Sequence, residues 1–504
     1  MIKIRDSHWL LLIFLAVLAG RLYLAFTIPN FTYESYFHLR QVNEIKETGF
    51  PLFYDPLSYG GRELRFLPFF HYVAAVVALF LPLELVGKIL PNLLLASLTI
   101  IVYFLAKQIA GREDKTGPLL AALIAGFLPI LYRTNSFTPE ALFIPLLFIC
   151  IYAFFSIHQK IPFYVYSISF ILLSFTSSST ALLLLGFGLY LLLSKIEGKK
   201  IDRMEVEVII ASLFFFIWVQ FLFFKRTLLK EGINFVWQNI PAPILTQYFP
   251  KFSLPEAVIA VSIIPFAAGI FVVYRSLFRL KNQKSFLLIS FVVSAAIVTW
   301  FRLIQFRLAL TFFGIILSIL FSLFYSDVHQ YIKKTRIHRY HRFLPLLLVV
   351  VLVATLLPPA WNAARHQETP ADQEIAAFQW MQEHLPTDAT VAASLEEGHL
   401  ITYFSQRKNV MGDQFTLIPD VEQRFHDLTT VFTSSFLTEA IGIFDKYGVS
   451  YLVLTPHTQK KYGLTKPKYH TIDCLERAYK DETLIYRLKC SLEKQPLNET
   501  RSIE

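Results

Sequence analysis

The chain contains few charged residues for its length. Only 17% of its 504 residues are Asp, Glu, Lys or Arg, whereas 55% are hydrophobic. This balance argues against a water-soluble protein and predicts a polytopic membrane protein that contacts membrane lipid. The formal net charge is +10, but the basic residues cluster in short loops between apolar runs. That placement indicates membrane topology, so we expect no nucleic-acid partner.

Cysteine is scarce as well, with three residues in the whole chain. Cys150 lies inside an apolar run, where it is expected to serve packing. Cys474 and Cys490 both lie in the C-terminal region, where a disulfide bond is possible, although the sequence does not fix the distance between them. The first apolar run, 8–27, has no small-residue cleavage site, which predicts a retained anchor and not a signal peptide.

About eleven apolar runs are candidate transmembrane helices, several of them shorter than the ~20 residues of a perpendicular span. They cover residues 8–27, 87–107, 118–132, 140–157, 162–176, 179–194, 206–224, 256–274, 285–301, 305–325 and 343–359. A twelfth run, 67–84, is expected to form a re-entrant or in-plane helix within a long first outer loop, 28–86.

The distribution of basic residues favours a run 67–84 that does not cross the membrane. If 67–84 does not cross, five basic groups share one side, which the positive-inside rule makes the cytoplasm. These groups are Lys3/Arg5, Lys107/Arg112/Lys115, Lys195/Lys199/Lys200/Arg203, Arg275/Arg279/Lys281/Lys284 and Lys333/Lys334/Arg336/Arg339/Arg342. The N-terminus is then cytoplasmic. Glu34, Glu140, loop 225–255, Arg302 and everything after residue 360 lie outside the cell membrane.

Residues 1–359 are therefore expected to form a transmembrane catalytic domain, 360–490 an extracytoplasmic α/β domain and 491–504 a disordered tail. Hydrophobic periodicity in the α/β domain predicts helices over 371–384, 397–405 and 436–446 and strands over 390–393, 450–455 and 484–488.

Two turns beside apolar runs carry acidic side chains, Tyr33–Arg40 and Arg133–Glu140. Glu34 and Glu140 on one membrane face suit a metal-assisted transfer site for an anionic substrate. Structural readings remain open for each residue: Glu34 as a solvated acid, Glu140 as a helix-start acid and Arg302 as an interfacial side chain. For His38, the structural alternative is a hydrogen bond at the membrane interface. Arg21, near the outer end of the first span, is expected to snorkel to the interface or to face the donor site.

Taken together, the ordered motifs resemble the catalytic subunit of oligosaccharyltransferase, a GT-C membrane glycosyltransferase. The resemblance rests on the acidic, aromatic-rich first outer loop, the Arg-to-acid turn, a late arginine and the segment in place of the family's Trp-Trp-Asp-Tyr-Gly motif. The matching residues are Glu34, Tyr36, Phe37, His38, Arg40, Asp55-Pro56, Gly60-Gly61-Arg62, Arg133 through Glu140, Arg302 or Arg307, Ser394 through Gly398, Arg407 and Asp413.

This resemblance implies a polyprenyl (dolichyl)-phosphate-linked sugar donor, a protein or glycolipid acceptor and a Mg²⁺ or Mn²⁺ ion. Glu34 and Glu140 take the catalytic and metal-binding positions, with Glu256 as a further metal candidate. The donor phosphate would be bound by Arg302, Arg307, Arg40 and His38. The acceptor would be bound by Glu396, Glu397 and His399.

The sequence departs from the family at Thr138, where an Asp is usual, and at Ser394-Leu395, where the family has two tryptophans that read the acceptor sequon. These changes predict polar acceptor recognition, with a relaxed peptide preference or a non-peptide acceptor. Protein glycosylation is the favoured reaction. Transfer of a single sugar to a lipid or glycan is the alternative, and a non-catalytic assembly subunit or a transporter is the alternative of another class. The apolar centres of most spans disfavour transport.

Overall fold

The computed structural model describes residues 6–111, 114–248, 254–280, 283–336, 338–340, 342–469 and 474–492. Lys3, Arg5, Arg112 and Lys281 of the basic groups lie outside the described residues. The predicted disordered tail also lies outside them, apart from residues 491 and 492.

The chain forms two compact units, each built from separate stretches of sequence. The first, called the membrane unit below, comprises residues 1–28, 66–225 and 246–367. The second, called the sheet unit, comprises residues 29–65, 226–245 and 368–504. The sheet unit therefore includes most of the predicted first outer loop and part of loop 225–255, in addition to the predicted C-terminal domain.

The membrane unit is built of helices, and every predicted apolar run overlaps one or two of them. The helices are Asp6–Thr27, Phe69–Ala78, Leu83–Ala96, Leu98–Ala110, Thr116–Gly126, Glu140–Phe154, Lys160–Ser174, Ala181–Ile196, Arg203–Glu231, Leu254–Val261, Ile263–Arg275, Gln283–Trp300, Phe306–Lys334 and Leu344–Arg365. The chain is a multi-pass membrane protein.

Length separates these helices into two groups. Among the described residues, six helices are long and apolar enough to cross a membrane when Leu83–Ala96 and Leu98–Ala110 are counted as one helix, Leu83–Ala110. A seventh span is possible if Pro255–Val261 and Ile263–Phe278, bent by 95°, count as one. Other apolar helices are shorter, 10–17 residues. The total of about eleven spans thus stays a prediction.

The ambiguous run 67–84 forms the helix Phe69–Ala78, which begins after Pro68 and has 10 residues. At 1.5 Å per residue it is about 15 Å long, half of the ~30 Å hydrocarbon core of a bilayer. The helix is therefore too short to cross alone. This length agrees with the re-entrant or in-plane helix that the charge distribution predicts.

The sheet unit combines short helices with a five-stranded sheet. Its helices are Ser35–Thr48, Ala242–Tyr248, Asp372–His384, Gly398–Leu400, Val421–Thr433, Leu437–Tyr447 and Pro456–Tyr462, of which Ala242–Tyr248 extends past residue 245. The strands, in spatial order, are Lys408–Asn409, Thr390–Ala392, Val449–Leu454, Leu484–Leu488 and Leu475–Lys480.

The first three of these strands are parallel. The fourth pairs antiparallel with the third, with Leu452 opposite Tyr486, and the fifth pairs antiparallel with the fourth. Leu452, Val453 and Ile485 are fully buried, which explains why their apolar runs predict strands. Cys474 and Cys490, one before and one after the antiparallel pair, are joined by a disulfide bond.

Candidate functional site

The polar turn 133–140 of the membrane unit is fixed by amide side chains from distant parts of the sequence. Asn92 donates from Nδ2 to the Thr134 carbonyl at 2.8 Å, and Asn135 donates from Nδ2 to the Ile28 carbonyl at 2.8 Å. The Asn135 main-chain N–H donates to Oε1 of Gln367 at 3.1 Å. These bonds satisfy polar groups that would be costly to bury unpaired, and they hold the turn in one conformation.

Arg21 reinforces the same region from the first helix. Its Nε donates to Oδ1 of Asn92 at 3.1 Å, its NH1 donates to the Leu131 carbonyl at 3.0 Å, and its guanidinium lies over the Tyr132 ring. The side chain is only 1% exposed, so the predicted snorkelling of Arg21 is wrong. The carbonyl and amide partners compensate for the loss of water around this charge.

A small cavity of about 40 Å³ lies beside the turn and brings together predicted site residues from two helices and the turn itself. It is lined by Arg133, Glu140 and Arg307, and also by polar groups of Ser136, Thr138 and Gln305. Glu140 begins helix Glu140–Phe154, where the helix dipole stabilises its negative charge, and Arg307 lies in the first turn of Phe306–Lys334. The residues that line the cavity therefore include one carboxylate and two arginines.

The alternative arginine has a different position. Arg302 is exposed, follows helix Gln283–Trp300 in a left-handed backbone conformation, and is not among the residues that line this cavity. Glu256, in the first turn of Leu254–Val261, is also exposed and does not line it. Of the two late arginines named by the sequence, Arg307 is the one that shares a cavity with Glu140.

The donor set around Glu140 does not fit a divalent cation by itself. Its hydroxyl and amide oxygens are acceptable ligands for Mg²⁺, but it has a single carboxylate, and two guanidinium groups line the same cavity. The described residues contain no group of three or more His, Cys, Asp or Glu side chains that could hold a metal. The arrangement suits an anion better than a cation.

In the sheet unit, the first-loop residues are placed by helix Ser35–Thr48. Glu34 is the half-buried residue that precedes this helix, and His38 is buried against Phe37. Arg40 donates from both terminal nitrogens to the Asp55 carboxylate, at 2.7 and 2.9 Å. Asp55 also accepts the main-chain N–H of Leu57. This pairing gives Arg40 a structural role that the sequence did not indicate.

The segment in place of the Trp-Trp-Asp-Tyr-Gly motif is largely buried. Glu397 is 0% exposed and accepts hydrogen bonds from the Ser394 main-chain N–H and from the hydroxyls of Thr455 and Thr458. Burial raises the pKa of Glu397 above its ordinary value. Glu397 fixes the start of helix Pro456–Tyr462, and its burial argues against direct contact with an acceptor.

Glu396 and His399 each pair with an ionisable side chain. Lys461 donates to both carboxylate oxygens of Glu396 at 2.8 Å, and His457 Nε2 lies 3.6 Å from Oε2. Burial alone would raise the pKa of Glu396, but His457 and Lys461 lower it to about 2. His399 is 5% exposed and shares a hydrogen bond with Asp413 at 2.5 Å between Nε2 and Oδ1. Only Glu396 of the three predicted acceptor residues keeps a partly exposed side chain, at 28%.

Sequence reasoning missed Glu374, which connects the first outer loop to the C-terminal region within the sheet unit. Its Oε2 accepts a hydrogen bond from the Tyr33 hydroxyl at 2.9 Å, and its Oε1 accepts one from the His457 main-chain N–H at 3.1 Å. Its position in the first turn of Asp372–His384 marks it as a helix-start acid. That signal was available from the sequence, whereas its contact with Tyr33 was not.

Solved structures with the same fold are GT-C glycosyltransferases. The apo crystal structure of the Archaeoglobus fulgidus oligosaccharyltransferase superposes with a TM-score of 0.68 at 14% identity, covering 88% of this chain and 69% of that one. Another structure of that protein, in complex with Zn and sulfate, gives 0.66 at 14% identity, covering 96% and 74%. ArnT from Cupriavidus metallidurans bound to undecaprenyl phosphate gives 0.53 at 12% identity, covering 95% and 98%.

No protein-family model matches the chain, and no curated protein is significantly similar to it in sequence. At these identities the structural similarity establishes the fold. The chain has the GT-C fold with a C-terminal sheet region, as the motif order predicts.

Proposed function

We propose that this protein is a membrane glycosyltransferase that takes its sugar from a polyprenyl-phosphate-linked donor at the outer membrane face. The observation that carries the proposal is the cavity shared by Arg133, Glu140 and Arg307 within a GT-C membrane unit. Support for the donor comes from two neighbours, the archaeal oligosaccharyltransferase in complex with a dolichol-phosphate and ArnT in complex with undecaprenyl phosphate.

The chemistry needs positive charge at the leaving group. When the acceptor heteroatom bonds to the anomeric carbon, the bond to the phosphate oxygen breaks and the lipid phosphate leaves as an anion. Arg133 and Arg307 would stabilise the charge that develops on that oxygen, since fixed cations in a water-poor site act strongly on developing charge. Glu140 would orient the two guanidinium groups.

A carboxylate must receive or hold the acceptor proton, and Glu34 remains the predicted residue for this step. A Mg²⁺ or Mn²⁺ ion held by Glu34 and Glu140 also stays a prediction. The residues around Glu140 do not favour such an ion, and the two arginines supply the positive charge instead.

The proposed reaction is oligosaccharyltransferase-like glycosylation with relaxed sequon reading. Ser394 and Leu395 supply no indole surface, and Glu396 with Lys461 supplies a polar, partly exposed pair in their neighbourhood. A second candidate is transfer of a single sugar to a lipid or glycan. Its support is the extent of the ArnT match, since the chain covers 98% of ArnT but 69% of the oligosaccharyltransferase.

The test is transfer from lipid-linked sugars, extracted from the native membrane, by the full chain in nanodiscs. The acceptors are a Thr peptide, its Ala counterpart and a membrane lipid extract. We expect Glu140→Gln and Arg307→Gln each to lower turnover at least about 100-fold, as loss of a charge-stabilising group does. Arg302→Gln is the matched control and should retain activity within about threefold.

An equal loss in Arg302→Gln with normal activity in Arg307→Gln would reject the cavity as the donor site. Transfer to the Thr peptide or to the lipid extract decides between the two acceptors. A strong preference for the Thr peptide over the Ala peptide would show that sequon reading persists through other residues.

The proposed orientation places the N-terminus in the cytoplasm and the sheet unit outside it. The disulfide bond between Cys474 and Cys490 supports a position of the sheet unit outside the cytoplasm, because such bonds persist in oxidising compartments. In intact cells, an impermeant thiol reagent should label Lys460→Cys and leave Lys334→Cys unlabelled. The opposite pattern would invert the topology.

A further inference from the structure

A cleft of about 1000 Å³ in the sheet unit has no part in the reaction described above. It lies between the hairpin Tyr54–Asp55/Arg62–Glu63, the end of helix Arg203–Glu231 and the segment 417–424. We refer to it as the Arg62 cleft. Four basic side chains, Arg62, Arg226, Lys230 and Arg424, and two acidic ones, Glu63 and Asp420, line it.

Two of the four cations are paired within the cleft. Arg226 NH1 lies 2.6 Å from Glu63 Oε1, and Arg424 Nε lies 3.0 Å from Asp420 Oδ2. These two pairs use both carboxylates that line the cleft. Counted over the side chains that line it, the cleft has a formal charge of +2. The carboxylate of Glu231, which lies near Arg62 and Lys230 without lining the cleft, offsets part of that charge.

The remaining cations, Arg62 and Lys230, donate to main-chain carbonyls. Arg62 NH2 donates to Thr416 at 3.1 Å and NH1 donates to Gln414, while Lys230 Nζ donates to Leu417 at 3.0 Å. Arg62 is 4% exposed, and its buried Nε has no hydrogen-bond partner in the described structure. A buried donor without a partner is costly unless a ligand satisfies it.

Aromatic surface accompanies this charge. Tyr54 lines the cleft and is 61% exposed. The guanidinium groups of Arg62 and Arg424 lie over the buried ring of Tyr59. Gly61 makes the geometry possible, because a Cβ at that position would lie 2.8 Å from the Tyr54 hydroxyl. An exposed ring beside fixed cations suits the apolar face of a sugar that bears a carboxylate.

We infer that the Arg62 cleft binds an acidic saccharide, with its carboxylate at Arg62 and Lys230 and a sugar ring against Tyr54. This inference rests on the proposed function for its choice of a sugar over an acidic peptide. It extends that function by giving the chemistry of the glycan, whether the glycan belongs to the donor or to the acceptor.

The experiment measures binding without turnover, by isothermal titration calorimetry on the full chain in nanodiscs. The probes are trigalacturonate, its fully methyl-esterified form and triglutamate. We expect trigalacturonate to bind at least tenfold more tightly than the ester, which has the same rings without charge, and than the peptide.

The decisive variants are Lys230→Gln and Tyr54→Ala, both at exposed side chains, and each should weaken trigalacturonate binding at least fivefold. Lys468→Gln is the matched control, since Lys468 also donates to a main-chain carbonyl but does not line the cleft. It should leave binding unchanged. Arg62→Lys, with folding checked by thermal unfolding, should weaken binding as well.

Equal binding of the ester would overturn the role of charge, and equal binding of triglutamate would overturn the saccharide assignment. Failure of trigalacturonate to bind an enzyme that still transfers sugar would reject the cleft while leaving the proposed function intact. Binding of trigalacturonate by a protein that transfers no sugar would support the cleft and reject the proposed function. Once binding is established, competition by native lipid-linked donor or by acceptor extract identifies which partner carries the acidic sugar.

Discussion

Arg40 and Asp55 form a two-point ion pair between helix Ser35–Thr48 and the following hairpin, with nitrogen–oxygen distances of 2.7 and 2.9 Å. The Asp55 side chain is 4% exposed and that of Arg40 is 18% exposed. The pair fixes the first outer loop within the sheet unit. Its burial leaves little room for a second anion on the same guanidinium.

The first prediction concerns this pair. Arg40→Gln should destabilise the sheet unit by about 2–3 kcal/mol, since removing one partner leaves a buried carboxylate uncompensated. Thermal unfolding of the full chain measures the loss. Arg203→Gln is the control, because the Arg203–Glu207 pair is highly exposed and should contribute little. Unchanged stability together with weakened donor binding would instead make Arg40 a phosphate ligand.

The second prediction concerns metal removal. Because Arg133 and Arg307 already supply positive charge in the Glu140 cavity, donor affinity should change less than about threefold in excess EDTA. Binding of a purified polyprenyl-phosphate sugar, measured with and without Mg²⁺, is the test. Tenfold weaker binding in EDTA, restored by Mg²⁺, would show that a cation completes this site.

The third prediction concerns two glycines of the sheet unit. A Cβ on Gly398 would lie 2.3 Å from the Met411 carbonyl oxygen, so Gly398→Ala must displace main chain and should cost about 2–4 kcal/mol. Gly442, inside Leu437–Tyr447, has only Leu492 near it, at 3.8 Å. Gly442→Ala should therefore be neutral or stabilising by up to about 1 kcal/mol. Equal unfolding temperatures for both variants would contradict the packing at Gly398.

The fourth prediction concerns pH. The carboxylate of Glu396 raises the pKa of His457 above its ordinary 6.5. A raised folded pKa stabilises the fold below pH 6.5, and this contribution disappears as pH rises through the folded pKa. The unfolding temperature should therefore fall between about pH 6 and 8 by more in the natural protein than in His457→Gln.

Glu396, which pairs with His457 and Lys461, affects stability at acidic pH. Its pKa of about 2 lies below the ordinary 4.5, so its contribution is complete above pH 4.5 and is lost as pH falls toward 2. Lys461→Met should reduce that acid-sensitive contribution. Parallel unfolding profiles for the natural protein and both variants would show that the cluster does not couple protonation to folding.

The sequence predicted those helices and strands whose apolar residues repeat with the period of the element that buries them. Leu484–Leu488 is an example, since its bounds agree with the predicted strand. Charge distribution also predicts that 67–84 does not span, and the short helix Phe69–Ala78 agrees with that prediction. These are local properties, which a single sequence contains. The sequence analysis missed the helix Val421–Thr433 and the strand Leu475–Lys480.

The sequence could not predict which side chains meet across long separations. The sequence predicts that Glu397 faces the acceptor, but its side chain is buried and accepts hydrogen bonds from Thr455 and Thr458. Choosing Arg307 over Arg302 likewise required the cavity around Glu140. The position of Arg21 in the sequence predicts an interfacial side chain, whereas the structure buries it with Asn92 and Leu131 as hydrogen-bond partners.

The sheet unit draws on three stretches of chain that hydrophobic helices separate. Tyr59 donates its main-chain N–H to Asn409, Arg62 donates to Thr416, and Lys230 donates to Leu417, so the early stretches depend on residues synthesised near the end. Residues 29–65 therefore lack these partners until most of the chain has been synthesised. Folding of the sheet unit is therefore completed late in synthesis, and we expect residues 29–65 to be most accessible to a chaperone or a protease before then.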